Sequence, residues 1–276
     1  FSKRFFVVEQ EVPIIASIQE PFDETISKSH QKIQLTLDVK KIPFFQPEFL
    51  QAGVIQNTRF NDMLISNAPS FIRGNQIEYN ADRDFVFPAG KEARWLDLQN
   101  LRFKTDRIDQ IQQLGYGTNI VLKTDVSRSA TPYFTFKDLN GQFIISNSES
   151  IRSEDQNDYA NVLFTYLPPN GMAFQGKSLY LSGAISGNQL ELNAKMQWNS
   201  ATGKYEKWVN LKQGYYSYNY ILRSDAAPNP MHDFRWTEGD HWETENSYTI
   251  LVYYRVAGSR YDQIIGFSSL NSLQNW

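Results

Sequence analysis

Cysteine is missing from the 276-residue sequence. Disulfide bonds, thiolate catalysis and cysteine-bound zinc are therefore excluded, although the lack of cysteine does not by itself distinguish the cytosol from an oxidising compartment. Long apolar runs are also missing, since none approaches the roughly 20 residues that a membrane-spanning helix needs. Neither sign of charge dominates: 27 Lys and Arg residues are balanced by 30 Asp and Glu residues, for a formal net charge of −3. This balance gives no electrostatic reason to expect nucleic acid or an anionic membrane as a partner.

The familiar catalytic motifs are missing as well. The sequence has no G-x-S-x-G elbow, H-E-x-x-H zinc motif, Walker A loop or G-x-G-x-x-G loop. His30 directly precedes a predicted strand, and His232 is followed at once by Asp233, yet no motif supplies a nucleophile beside that pair. The 30 acidic residues leave a catalytic carboxylate pair open by number alone, but no local feature nominates one. An enzyme is therefore the weaker class of function, and no cofactor is expected.

Aromatic residues are abundant, with 19 Phe, 15 Tyr and 6 Trp, and most lie in short runs beside β-branched residues. Asn, Gly, Pro and Asp separate these runs, which is typical of all-β proteins. "QKIQLTLDV" alternates polar and apolar residues, whereas "YANVLFTY" and "YTILVYYR" are apolar on both faces, as central strands are. The pattern predicts strands at residues 5–8, 14–17, 32–39, 51–56, 62–65, 76–79, 92–97, 120–123, 134–137, 142–145, 159–166, 178–182, 187–192, 195–199, 205–211, 215–222 and 248–254.

The predicted strands divide into two series. Residues 146–158, "SNSESIRSEDQND", form a polar stretch with almost no apolar content, and we expect the domain boundary there. The sequence thus predicts two immunoglobulin-like β-sandwiches in tandem, at residues 11–148 and 159–276, joined by a linker at 149–158. Residues 1–10 are interpreted as the remnant of a preceding domain or linker. Residues 96–114 fit either a helix or a strand followed by a turn.

A histidine and two glutamates stand at alternate positions in "GDHWETEN". In an extended chain, this spacing would point His241, Glu243 and Glu245 to one face, where they could bind a divalent transition metal. Thr244 and Asn246 favour local hydrogen bonds between side chain and backbone instead, and acidic residues before a strand are commonly solvated. No second histidine of known proximity completes the set, so no metal is expected.

A second cluster is aromatic. Trp198, Tyr205, Trp208 and the tyrosines of "YYSYNYIL" are dense enough to form a platform for stacking carbohydrate. Alternation would divide them between a core face and an outer face, with Tyr216, Tyr218 and Tyr220 on the same side. We favour packing of these three tyrosines in the core, as at a tyrosine corner.

Four long segments follow one another in a recognisable order: "VFPAGKEARWLDLQNLRFKTDRI" (86–108), "ATPYFTFKDLNGQFII" (130–145), "KYEKWVNLKQGYYSYNYIL" (204–222) and "EGDHWETENSYTILVYYRVAGSRYDQIIGF" (238–267). Together they resemble the plug protein family of the type IX secretion system of Bacteroidota, over nearly the whole chain. The resemblance implies a non-enzymatic periplasmic β-sandwich protein at the inner face of the outer membrane. Its partner would be the outer-membrane translocon, whose periplasmic entrance it would close. The resemblance implies no metal, no nucleic acid, no small-molecule substrate and no membrane insertion.

The second predicted domain also resembles the early-set immunoglobulin-like modules that bind starch and glycogen. This similarity makes a carbohydrate-binding module of a polysaccharide-processing protein the alternative function. Those modules stack glucan on a tryptophan where this sequence has Asn188, and they place a lysine where it has Asn219. Both departures remove groups that hold glucan.

Contact residues for the partner are predicted in the loop at residues 222–240, which carries Met231, Phe234 and Trp236. Exposed apolar clusters of this kind usually mark an interface. The alternative is that Phe234 and Trp236 close the bottom of the sandwich. His241 and Trp242, which follow the loop, are interpreted as structural or interface residues.

Overall fold

A computed structural model of the chain describes residues 5–148, 157–187, 193–226 and 233–275. Strands make up 46% of the chain, and the all-β fold class is confirmed. No helix among the described residues is long and apolar enough to cross a membrane. The strands are β1 (Ile14–Gln19), β2 (His30–Asp38), β3 (Leu50–Gln56), β4 (Leu64–Ser66), β5 (Phe71–Arg73), β6 (Gln76–Tyr79), β7 (Val86–Pro88), β8 (Arg94–Asp97), β9 (Ile108–Leu114), β10 (Gly117–Leu122), β11 (Asp125–Val126), β12 (Phe143–Ile145), β13 (Tyr159–Leu167), β14 (Lys177–Ser182), β15 (Gln197–Asn199), β16 (Lys204–Lys212), β17 (Gly214–Ser224), β18 (Ser247–Tyr254) and β19 (Gln263–Asn271).

The strands form two compact units. Unit 1 consists of Phe1–Ala89 and His241–Trp276, and unit 2 consists of Gly90–Asp240. In unit 1, one sheet has the order β1-β2-β6-β5, with β7 also paired to β2, and the other has the order β19-β18-β3-β4. The alternation of β2 places Ile33, Leu35 and Leu37 in the core, where Val54 and Ile250 of the opposite sheet are also buried. Unit 1 is therefore a β-sandwich with a single apolar core.

Unit 2 is a second sandwich of immunoglobulin-like type. Its larger sheet has the order β15-β16-β13-β10-β9, with β11 paired to β13, and its smaller sheet has the order β12-β17-β14, with β8 paired to β17. The core between these sheets is rich in aromatic side chains, including Phe164, Tyr218 and Tyr220. The ring centroids of Phe164 and Tyr218 lie 5.1 Å apart in an edge-to-face arrangement, which aromatic pairs prefer.

The division of the chain differs from the predicted one. The expected linker at 149–158 falls within unit 2, because β10 and β13, which precede and follow it, are parallel neighbours. The expected second domain at 159–276 is also wrong, because β18 pairs with β3 from Tyr248–Gln56 to Tyr254–Leu50. The apolar pattern of a strand indicates that the strand is central, but it does not indicate which strand is its neighbour in the sheet. For this reason the polar stretch at 146–158 was wrongly interpreted as a domain boundary. Residues 149–156 lie outside the described part of the chain.

The opening residues also belong to unit 1, whereas they were expected to be a remnant of another domain or a linker. The backbone N–H groups of Glu9 and Val12 donate hydrogen bonds of 3.0 Å to the carbonyls of Ile264 and Ile265, respectively. These bonds tie the approach to β1 to the last strand of the same sandwich.

Residues 96–114 prove to be a strand, a turn and a second strand. Leu96 and Asp97 end β8, and β9 begins at Ile108 as a hairpin partner of β10. Residues 134–137, which were predicted to be a strand, lie in an irregular extended loop instead. Their aromatic residues reflect side-chain packing, since the ring of Phe136 meets that of Trp95 edge-on at 5.4 Å.

Candidate functional site

The 233–240 segment runs along one edge of β17. Its hydrogen bonds connect β17 to other parts of unit 2. Leu222 and Asp233 exchange backbone hydrogen bonds, and the N–H groups of Thr237 and Glu238 turn back to the carbonyl of Phe234. Between this bridge and the pairing of β8, the backbone of Tyr220 is satisfied by side chains. Its N–H donates to the Glu238 carboxylate at 2.9 Å, and its carbonyl accepts from the Thr237 hydroxyl at 2.6 Å. The side chains of Thr237 and Glu238 thus complete the hydrogen bonding of β17 beyond the point where its pairing with β8 ends.

Glu238 is fully buried and lies at the centre of a cluster of charged groups. Its carboxylate accepts from Arg94 Nε at 3.1 Å and from Arg128 Nε at 2.7 Å. Arg94 is itself buried, and its Nη2 donates to the carbonyl of Val126 at 2.7 Å. A carboxylate that is removed from water in this way is tolerated only because two guanidinium groups and an N–H compensate it.

Asp125 forms the second half of the cluster. One carboxylate oxygen accepts from Arg94 Nη1 and from Arg107 Nη2, each at 2.8 Å. The other oxygen accepts from the hydroxyls of Tyr218 and Tyr220, each at 2.9 Å. We call Arg94, Arg107, Asp125, Arg128 and Glu238 the ion cluster. Arg94 connects its two carboxylates, so the five side chains form one continuous network.

The electrostatics of the ion cluster oppose proton transfer. Burial alone would raise the pKa of Glu238, but Arg94 and Arg128 outweigh it and hold the pKa below its ordinary value. Burial and the charge of Asp125 raise the pKa values of the Tyr218 and Tyr220 hydroxyls. Glu238 is thus a poor base and the two phenols are poor acids near neutral pH. The cluster acts as an electrostatic crosslink rather than as a proton relay.

A lysine fixes the neighbouring loop in a similar way. The ammonium group of Lys91 donates to the carbonyls of Arg128, Thr131 and Pro132 and to the Thr131 hydroxyl, at 2.7–3.3 Å. Burial and the nearby positive charge of Arg128 lower the pKa of Lys91. The Tyr133 hydroxyl also donates to Glu92, next to the lysine. The loop that follows β11 is therefore held by side chains where it lacks strand pairing.

These contacts leave Trp236 at the surface, with 54% of it exposed. The Ser127 hydroxyl donates to the carbonyl of Trp236 at 2.8 Å, and the N–H of Arg128 donates to the carbonyl of Thr237 at 2.8 Å. The backbone at Trp236 and at the following residue is thereby held in place. Trp236 is therefore exposed on a backbone that hydrogen bonds hold in place, and its role as a contact residue stays a prediction.

Phe234 does not share this exposure, and its prediction as a contact residue is wrong. Only 5% of it is exposed, and its ring lies over Gly90. The turn that presents Trp236 directs Phe234 inward, because the two residues lie on opposite sides of the backbone. Met231, also predicted as a contact, lies outside the described residues, as does His232.

Residues 241–244 of "DHWETEN" form a turn in unit 1, so the extended conformation assumed for His241, Glu243 and Glu245 is wrong. The N–H of Thr244 donates to the carbonyl of His241 at 3.0 Å, which closes the turn. No group of three or more metal-ligating side chains suited to an ion occurs among the described residues.

Buried polar groups hold this turn in place. Gln31 donates to the carbonyls of Trp242 and Thr244 at 2.6 and 3.0 Å. Asn246 donates to the Gln31 side chain at 3.0 Å and to the carbonyl of Ala89 at 2.9 Å. His241 and Trp242 are half-buried, which places them at the edge of this network.

Three of the tyrosines of β17 lie in the core, as predicted. Tyr216, Tyr218 and Tyr220 are all buried, and the rings of Tyr218 and Tyr220 meet edge-on at 5.8 Å. Trp208, by contrast, is 52% exposed. Asn219 is half-buried on β17, and Asn188 lies outside the described residues.

The sequence analysis missed the ion cluster because its members are far apart in the chain. Arg94 and Glu238 are separated by 144 positions. A local signal existed for Arg94, since "ARWLDL" places it on the same side of the strand as the buried residues Leu96 and Leu98. A charge at a core-facing position implies an opposite charge elsewhere in the fold.

No protein-family model and no curated protein matches the chain. Among solved structures, the chain is similar to a hypothetical protein from Parabacteroides merdae ATCC 43184, determined by crystallography at 2.30 Å resolution. The two share 32% sequence identity, with a TM-score of 0.88. The similarity covers 96% of this chain but 66% of the other, so this chain spans slightly less than two thirds of that protein.

Proposed function

We propose that the chain is a non-catalytic plug subunit that closes the periplasmic entrance of the type IX secretion translocon in the outer membrane. The observation that carries this proposal is the ordered resemblance of residues 86–108, 130–145, 204–222 and 238–267 to that family. Three of the four segments supply members or direct partners of the ion cluster: Arg94 and Arg107, then Tyr218 and Tyr220, then Glu238. The resembling segments thus contain residues that hold unit 2 together.

The nature of the fold supports a role that depends on shape. A seal has to keep its surface fixed against a partner, and a β-sandwich crosslinked by buried ion pairs offers such a surface. The lowered pKa of Glu238 and the raised pKa values of Tyr218 and Tyr220 do not favour proton transfer near neutral pH, so rigidity is the property that the ion cluster supplies. The similar protein from Parabacteroides comes from a genus of Bacteroidota, the group in which the resembled family occurs.

Trp236 is the residue best placed to contact the translocon. A large aromatic side chain on a fixed backbone loses little conformational freedom on binding, which is why tryptophan is enriched among the residues that dominate interfaces. Its support by Ser127 and Arg128 fixes the backbone before any partner arrives. We assign the contact to Trp236 and its turn, and we place Phe234 in the supporting layer beneath.

The test is co-purification of the translocon from Bacteroidota envelopes with tagged wild-type and Trp236→Ala chains. We expect the variant to retain its melting temperature and to recover at least about tenfold less translocon, since central aromatic contacts cost ~2 kcal/mol or more when truncated. Trp208→Ala is the matched control, because it removes an equally exposed indole elsewhere on unit 2 and should leave recovery unchanged.

Two outcomes would count against the proposal. Recovery of Trp236→Ala at the wild-type level would exclude this turn as the contact surface. Failure of the wild-type chain to recover any translocon component would argue against the plug function itself.

A further inference from the structure

Four amide side chains lie in register across the solvent-facing side of the larger sheet of unit 2. Asn119 on β10 is opposite Gln112 on β9 and Asn161 on β13, and Asn161 is opposite Asn210 on β16. Asn210 donates to Asn161 at 2.9 Å, and Asn161 donates to Asn119 at 3.3 Å. These two hydrogen bonds use neither the carbonyl oxygen of Asn210 nor the amino group of Asn119, which lie at the two ends of the amide row. Both ends can still accept from or donate to a ligand.

A second row lies two residues further along the same strands. Gln110, Val121, Leu163 and Trp208 are opposite one another on β9, β10, β13 and β16. Ile120 and Phe164, next to Val121 and Leu163, point into the core, and Val209, next to Trp208, packs against it, so this row also faces solvent. The two rows are separated by roughly 7 Å, twice the rise of a strand per residue. An exposed indole therefore lies beside a row of oriented amides.

The two rows carry no formal charge. On the solvent-facing side of β16, the flanking charged positions are Glu206 and Lys212, which belong to the next pairs on either side, opposite Thr165 and Tyr159. The two rows themselves supply no cationic group to a phosphate backbone, an anionic lipid or an acidic peptide, each of which needs several. It is complementary to a neutral ligand that has many hydroxyl or acetamido groups and an apolar face.

We infer that this face, with Trp208 as the stacking residue and the amide row as the source of hydrogen bonds, is a binding site for a neutral polysaccharide. Sugar rings present C–H groups on one face and hydroxyls around the edge, which an indole and an adjacent amide row can contact together. The face is an open sheet rather than a groove. It therefore suits a straight, ribbon-like β-1,4-linked chain better than a coiled α-1,4-glucan.

This site differs from the one that the early-set modules use, which would correspond to Asn188 and Asn219. It lies on the opposite sheet of unit 2 from Asn219, which belongs to β17. Binding here does not depend on the proposed plug function, and it involves neither Trp236 nor the ion cluster.

The experiment is a titration of the full chain with cellohexaose and with chitohexaose, followed by calorimetry and by tryptophan fluorescence. We expect at least one of the two to bind, and we expect maltoheptaose to bind at least about tenfold more weakly. Trp208→Ala should weaken binding by about tenfold or more, which corresponds to ~1.4 kcal/mol. Asn161→Ala should weaken it about threefold to tenfold, because it interrupts the amide row in the middle.

Trp236→Ala is the matched control and should bind as the wild type does. Both tryptophan variants should retain the wild-type melting temperature, since each removes a half-exposed side chain. The inference is overturned if neither β-1,4 hexasaccharide binds at millimolar concentration, if Trp208→Ala binds as well as the wild type, or if maltoheptaose binds as tightly as the β-1,4 chains. The plug proposal stands or falls separately, by translocon recovery.

Discussion

Glu238 shows how one residue can define a structural site. It is fully buried, yet its two oxygens accept from two arginines and from a backbone N–H of β17. Removing a charge from water costs several kcal/mol, and the bonds to Arg94, Arg128 and Tyr220 offset that cost only while all are present. The same residue therefore stabilises unit 2 and makes it sensitive to substitution.

Glu238→Gln keeps the shape of the side chain and removes its charge. We expect the free energy of unfolding at pH 7 to fall by about 3–5 kcal/mol, because the buried Arg94 and the half-buried Arg128 lose the charge of the carboxylate that they share. Urea denaturation followed by circular dichroism measures this change. Asp109→Asn, an exposed carboxylate of β9 in the same unit, is the control and should change stability by less than about 0.5 kcal/mol.

The pH dependence of stability follows from the lowered pKa of Glu238. Since the folded-state pKa lies below the unfolded value of about 4.3, ionised Glu238 contributes its full stability above that value. The contribution is lost as the pH falls through the folded-state pKa. Wild-type stability should therefore decrease more steeply below about pH 4.3 than that of Glu238→Gln. Equal acid slopes for the two chains would contradict the role assigned here.

Phe234 and Trp236 should respond differently to truncation. Phe234→Ala removes a buried ring that packs over Gly90, and we expect a loss of about 3–5 kcal/mol in thermal or chemical unfolding. Trp236→Ala, studied in parallel, should cost less than about 1 kcal/mol, since over half of the side chain is in solvent. Similar losses for both variants would mean that Trp236 also closes the sandwich.

Much of the residue-level picture could be predicted from the sequence. Alternation correctly placed Tyr216, Tyr218 and Tyr220 together in the core. Alternation could not show which of Phe234 and Trp236 is buried, because both residues lie in a turn rather than in a strand. Nor could it join Arg94 to Glu238, since their contact depends on how β8 and the 233–240 segment meet the same edge of β17.

At the scale of elements, β17 depends on one close backbone contact. Gly214 is the first residue of this strand, and a Cβ atom added there would lie too close to the carbonyl oxygen of Ile144 on β12. No side chain fits there without a shift of the backbone. The pairing of β12 with β17 therefore requires glycine at this position.

Gly214→Ala should weaken the pairing of β12 with β17 and cost about 1–3 kcal/mol of stability, the usual range for overpacking. Gly115→Ala is the matched control, since an added Cβ meets nothing within 4 Å there. Hydrogen exchange of the amides of β12 would locate the effect. If Gly214→Ala exchanges as slowly as the control, the close contact is not a constraint.

The "DHWETEN" turn offers a test of the metal hypothesis. Its backbone is held by Gln31 and Asn246, so its stability does not require an ion. We expect the melting temperature to remain unchanged on treatment with EDTA, because only a ligand bound to the native state raises it. A decrease that zinc or calcium reverses would restore a metal at His241, Glu243 and Glu245.

Strands with a clear alternation of polar and apolar residues were easier to predict than strands or loops without it. β6 was predicted at its observed bounds, because "QIEY" alternates cleanly. β19 was missed, since its serines, asparagine and glycine weaken the apolar pattern, and half-buried edge strands need few apolar residues. Residues 134–137 were predicted to be a strand because they are rich in aromatic residues. A loop that is held in place by its side chains can have the same composition.

At the scale of the whole molecule, the division into units predicts which fragments fold. Residues 90–240 contain every strand of unit 2 and should unfold cooperatively as an isolated fragment. Residues 159–276, the domain expected from sequence, contain β18 and β19 without β3 and lack β8 to β12. We expect that fragment to lack slowly exchanging amides and a cooperative transition, as judged by hydrogen exchange and circular dichroism. A folded 159–276 fragment would argue against the division.

The pairing of β3 with β18 also determines how long the nascent polypeptide must remain without a complete unit 1. Residues 57–246, 190 residues in all, separate the end of β3 at Gln56 from the start of β18 at Ser247. At 5–20 residues per second, their synthesis takes roughly 10–40 s. All of unit 2 is synthesised within that interval, while the sheet that contains Ala52 and Val54 still lacks β18 along the edge of β3. Unit 1 is therefore still incomplete when unit 2 has been synthesised. A chaperone would protect the nascent chain most at this stage.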